Sequence, residues 1–187
     1  MEFYHCSPIA GLKVLEPKRP ENFEKPAAVY MTTSLPMALM YGIRNFEYSY
    51  GYTKDGQICY DEYFPNALEI LYRGKQASLY WCAPIQTDTT KIPNEVVSAE
   101  AVSVLKEIVI PDVCEALLEQ ERLGALVVHR YEQLSAKMLE WIRGAEADEI
   151  RQRDLIRTGG PMADYIKRHY PESWAMVKRE LESEKVQ

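Results

Sequence analysis

Three short stretches bring together side chains that could do chemistry. The first is Tyr4-His5-Cys6-Ser7, with Gly11-Leu12 shortly after it. The second is Val29-Tyr30-Met31-Thr32-Thr33, followed by Pro36-Met37-Ala38-Leu39-Met40-Tyr41-Gly42. The third is Asn94-Glu95-Val96-Val97-Ser98. An imidazole that is neutral at pH 7 can hydrogen-bond hydroxyl groups. Flat phenol rings stack on planar ligands, and a carboxylate can hold or deprotonate a nucleophile. Other chemistries find less support. Cys6, Cys59, Cys82 and Cys114 include no CxxC pair, and His5, His129 and His169 have no metal-ligand spacing, so no metal is expected. Gly159-Gly160-Pro161 lacks the context of a nucleotide-binding loop and reads as a helix–helix turn. No Ser–His–Asp or Cys–His triad follows from spacing.

Positioning these residues falls to a β-rich first part. Strands are expected at Glu2–His5, Ala28–Thr32, Ala77–Ala83, Glu95–Ser98 and Leu105–Ile110. A loop over 17–26 holds three of the eleven prolines. Ser34 is placed to cap a helix over Leu35–Tyr41, with Pro36 in its first turn. A hairpin is expected around Lys54-Asp55-Gly56 in a stretch, 46–63, that holds five tyrosines. A short helix over Asn66–Tyr72 closes at Gly74.

Near residue 110 the chain changes character, and long charged segments with helical periodicity follow. Asp112 caps a helix over Val113–Arg122. A second spans 131–144, with Leu134, Met138, Trp141 and Ile142 on one face, and further helices fit 146–157, 161–169 and 172–184. The expected architecture is an α+β body over 1–110 and a helical extension over 111–187.

Composition narrows the partners. The chain has 187 residues, 47% of them hydrophobic and 27% charged, which suits a globular protein rather than a disordered or fibrous one. Its net charge of −6 is shared evenly, with 9 basic and 12 acidic groups in 1–100 against 13 and 16 in 101–187. Neither half resembles a basic arm, which argues against nucleic acid as a partner. No charged segment leading into an apolar one opens the sequence, and no apolar run reaches the roughly 18 residues of a membrane span, so a cytoplasmic location away from membranes is expected.

The three stretches, in this order, resemble motifs of the ADP-ribosyltransferase superfamily, in the His–Tyr–Glu class of poly(ADP-ribose) polymerases and diphtheria-toxin-like enzymes. Members of that class open on a strand carrying His-Gly-Ser/Thr with a downstream Gly-Leu. A later strand leads into a helix with a second Tyr, and the catalytic Glu starts a late strand. The resemblance covers about residues 4–110. It implies a split β-sheet body and NAD as substrate, with ADP-ribose passed to an acceptor the motifs do not name. By the same resemblance Glu95 acts on the ribose and the incoming nucleophile, His5 anchors NAD, and Ser7 bonds the carboxamide. Tyr41 stacks on nicotinamide with Tyr30 flanking it. Cys6 stands where the family usually carries Gly, and Pro93 interrupts the Gln/Glu-x-Glu pattern of the arginine-modifying members. A catalytically silent NAD-, nucleotide- or protein-binding module on the same fold is the alternative. A protein built for association through the helical extension, with a partner or a second copy, is a third reading.

Overall fold

The computed structural model of the protein describes residues 2–19, 27–83 and 86–184. Residues 20–26 of the expected proline-rich loop lie outside the described residues. The chain forms two compact units, one of residues 1–60 and 68–127, the other of 61–67 and 128–187. No helix among the described residues is long and apolar enough to cross a membrane.

The first unit is α+β. Its seven-stranded antiparallel sheet contains β1 (Phe3–Ser7), β2 (Val14–Leu15), β3 (Val29–Thr32), β6 (Ala77–Cys82), β7 (Asp88–Thr89), β8 (Glu95–Ser98) and β9 (Val102–Ile110). Their spatial order is β2-β9-β6-β1-β3-β8-β7. Between β3 and β6 the chain forms α1 (Leu35–Tyr41), the hairpin of β4 (Tyr50–Tyr52) and β5 (Ile58–Asp61, in this unit to Tyr60), and α2 (Ala67–Tyr72, in this unit from Leu68). One sheet face buries Phe3, Leu15, Val29, Met31, Cys82, Val96 and Val102 as a cluster. Burying an aliphatic or Phe side chain of this kind contributes about 1.5–3 kcal/mol. The four cysteines are buried thiols.

Register decides what reaches the site. β1 pairs with β6 along its whole length, from Phe3↔Cys82 to Ser7↔Ser78. Against β3 it shares only Tyr4↔Thr32. β3 pairs fully with β8 on its other side, from Val29↔Ser98 to Thr32↔Glu95. The ladder between β1 and β3 thus stops at Tyr4, and the strands part beside His5 and Cys6.

The local signals in this unit act as the sequence implies. The Ser34 side chain accepts the Met37 N–H, Pro36 occupies the first turn, and Pro36 to Met40 are buried. The β4–β5 turn places Gly56 at φ 80, and Gly74 ends α2 at φ 69. The last strand of the large sheet ends at Ile110, where the composition changes. The first unit nevertheless runs on through α3 (Val113–Arg122), whose cap Asp112 accepts both Glu115 N–H and Gly74 N–H.

The second unit packs α4 (Ala136–Gln152), α5 (Leu155–Thr158), α6 (Pro161–His169) and α7 (Pro171–Glu184) with the segment 61–67. Short β10 (Val127–His129) lies at its boundary. Phe64 is its aromatic centre, stacked on His169 at 4.2 Å and edge-on to Tyr165 and Tyr170. Arg151 holds Glu180 of α7 through two hydrogen bonds, at 3.1 and 3.0 Å. The expected helices over 131–144 and 146–157 are corrected here. Residues 131–133 form a single 3-10 turn, Ser135 caps α4 by accepting Met138 N–H, and α4 runs on through Gly144. It ends before Asp154, whose φ of 51 breaks the helical path and starts α5 separately.

Candidate functional site

A cavity of about 360 Å³ opens in the first unit where β1 and β3 part. Its walls come from β1, β3, α1, Ile92 and the start of β8. Four of the five residues singled out by sequence line it, namely His5, Tyr30, Tyr41 and Glu95. Ser7 does not. It is buried farther along β1, opposite Ser78, and its Oγ accepts the Ile9 N–H at 3.2 Å.

His5 owes its position to the interrupted ladder. Its Nδ1 lies 2.9 Å from the Tyr30 carbonyl oxygen, so the imidazole bridges the gap that the two strands leave. A carbonyl can only accept, so Nδ1 carries the proton of this bond. Burial is the main cause that lowers the His5 pKa below its ordinary 6.5; the bond to Tyr30 opposes the shift and the charge of Lys18 adds to it. A neutral ring protonated at Nδ1 leaves Nε2 as a hydrogen-bond acceptor.

Glu95 begins β8 opposite Thr32, directly after Asn94 in a left-handed conformation at φ 64. Its backbone N–H donates to Ile92 O at 3.2 Å, and Thr33 bonds Asn94 through both main chain and side chain. These bonds hold the turn that presents the carboxylate. Glu95 is only 9% exposed, and its Oε1 is buried without a hydrogen-bond partner among the described residues. Buried carboxylate oxygens are rarely left unpaired, because the lost hydration has to be replaced.

Tyr41 ends α1 at the cavity wall. Tyr48 stacks on its ring at 4.8 Å, and the residue is still 39% exposed, which leaves ring surface for a planar ligand. Its hydroxyl donates to the Tyr50 hydroxyl at 3.0 Å. The Tyr52 hydroxyl donates to Pro93 O at 2.5 Å, tying β4 to the turn before Glu95. Burial raises the pKa of all three phenols, and the Glu95 charge raises each further. The Tyr41–Tyr50 and Tyr52–Pro93 bonds set the β4 tyrosines beside Tyr41 and the turn before Glu95. Sequence reading did not single out these two; their signal was the run of tyrosines in 46–63, which fits a plain hairpin equally well.

Cys6 forms part of the cavity wall with its thiol pushed up to about 12 by burial. Its backbone is not in the left-handed region, so a glycine is not required there. A Cβ on Gly42 would sit 2.6 Å from Cys6 Sγ.

The arrangement brings together one carboxylate, one neutral imidazole and stacked phenols. It can hold hydroxyl groups beside a planar ring and take a proton from a nucleophile placed between them. No protein-family model matches this chain, and no curated protein matches it.

Proposed function

We propose that the first unit transfers ADP-ribose from NAD to an acceptor nucleophile and releases nicotinamide. The observation that carries this reading is that His5, Tyr30, Tyr41 and Glu95, far apart in sequence, line one cavity. Further support comes from the sheet, whose β1–β3 ladder opens at His5, as a split ADP-ribosyltransferase-like sheet would require.

In this reading the nicotinamide ring lies against Tyr41, with Tyr30 flanking it, and the attached ribose faces Glu95. The C1′–N1 bond breaks with its electron pair passing to the ring nitrogen, so nicotinamide leaves neutral. The ribose passes through an oxocarbenium-like state, as in glycoside hydrolysis. The Glu95 carboxylate accepts a ribose hydroxyl proton in a hydrogen bond and its negative charge stabilises the developing cation. It then takes the proton of the acceptor as that group bonds to C1′. His5 Nε2 accepts a second hydroxyl and fixes the ribose. Ser7 has no part in this reading, because it lies off the cavity.

Nicotinamide release from NAD, with cell extract supplying acceptors, is the test. Release above the extract alone is the expected result. NAD binding without release would turn the assignment to a catalytically silent module on the same fold. Absence of both would refute an NAD site.

A further inference from the structure

The charge pattern of the cavity selects among parts of the proposed substrate. Among the described residues of its lining, Glu95 is the one carboxylate, and no lysine or arginine is present. A second carboxylate, Glu2, accepts the hydroxyl of the lining residue Tyr4 at 2.5 Å. Lys18, whose charge acts on His5, is not among the described lining residues. Tyr4, Tyr30 and Tyr41 are among the cavity's lining residues. Aromatic faces beside a buried carboxylate attract a cation, as in the aromatic cages that bind quaternary nitrogen. They offer nothing to a pyrophosphate, whose charges Glu95 repels.

Size points the same way. At about 360 Å³ the cavity is small, near the lower limit of sites for drug-sized ligands, roughly 300–1,000 Å³. It suits a nicotinamide ring with one ribose better than the whole dinucleotide. On the reading given above, we propose that this cavity recognises the N-ribosylpyridinium cation by itself, so that nicotinamide riboside binds about as well as NAD. The pyrophosphate and adenosine of NAD then extend past the cavity mouth without adding much to affinity. The positive charge of the pyridinium is the feature read, through Glu95 and the phenol rings.

Titration calorimetry of the full chain with nicotinamide riboside, its uncharged dihydro form and NAD tests the inference. The expected result is a Kd for the riboside within about tenfold of that for NAD, a spread of about 1.4 kcal/mol. The dihydro riboside should bind at least about tenfold more weakly, the loss of one charge-assisted contact. In Glu95→Gln, verified as folded by its unfolding midpoint, the preference for the charged riboside should largely disappear. The ligand comparison in the unaltered protein stands even if that variant does not fold. NAD binding with the riboside about 100-fold weaker would overturn the inference, because the adenylate half would then be held. Equal binding of the charged and dihydro forms would overturn it too, as would failure of both NAD and the riboside to bind. Riboside binding without nicotinamide release from either ligand would uphold this inference while refuting the transferase reading.

Discussion

Gly42 offers a perturbation whose effect can be worked out from geometry. The residue follows α1 at φ −64 and ψ −15, a conformation alanine adopts freely, so Gly42→Ala meets no backbone strain. Its added Cβ would meet Cys6 Sγ at 2.6 Å, and Ala77 Cβ and Leu39 O at 3.1 Å each. Overpacking of a well-filled core costs about 1–3 kcal/mol. Reduced freedom of the unfolded chain returns about 0.4–1 kcal/mol, so a net loss of about 1–2 kcal/mol is expected. Replacing Cys6 with alanine removes the worst contact and leaves the two at 3.1 Å, which need shifts of only a few tenths of an ångström. Gly42→Ala should then cost little in the Cys6→Ala background. A coupling energy of about 1 kcal/mol follows, within the range for residues in contact. Urea unfolding of the four proteins of this cycle measures it. Equal cost of Gly42→Ala in both backgrounds would show that Cys6 Sγ does not set the approach of α1 to β1. The result matters for the site, because these two elements carry Tyr41 and His5.

Two further outcomes follow from burial and charge. His5 is held below its ordinary pKa of 6.5, so as pH falls the unfolded chain takes up its proton first. Its contribution to stability is complete above 6.5 and is lost as pH falls below that value; His169, lowered chiefly by burial, acts in the same direction. Urea midpoints at pH 7.5 and 5.5 should therefore fall less in His5→Gln than in the native protein, and an equal fall would contradict the buried, neutral imidazole. In the second unit, Phe64→Ala empties the space stacked against His169 and should cost about 3–5 kcal/mol in urea unfolding. A loss below about 1 kcal/mol would show that Phe64 does not anchor that unit.

Much of the first unit was legible because its signals are local. Ser34 and Pro36 define α1, Asp112 defines α3, and the apolar runs at 29–32 and 95–98 form strands where alternation and β-branching place them. The second unit was less legible for a physical reason. Gly144 resembles a helix end, but a glycine inside a long helix costs only about 1 kcal/mol, and α4 continues through it because Ile142, Ala147 and Ile150 bury on one side. Membership of 61–67 in that unit rests on what Phe64 packs against, a long-range contact with no local signature. The site divides similarly. His5, Tyr30, Tyr41 and Glu95 follow from motif order, whereas the placement of Ser7 away from the cavity and of Tyr50 and Tyr52 beside Tyr41 and the turn before Glu95 depends on register and hairpin packing.

In the proposed reaction the buried carboxylate of Glu95 acts on the ribose of NAD. The most direct measurement is the rate of nicotinamide release at saturating NAD for the native protein beside Glu95→Gln. A fall of at least about 100-fold is expected in the variant, the lower end of what a positioned acid–base group supplies, with the fold retained. Equal rates in the two proteins would contradict it and move the chemistry away from this carboxylate.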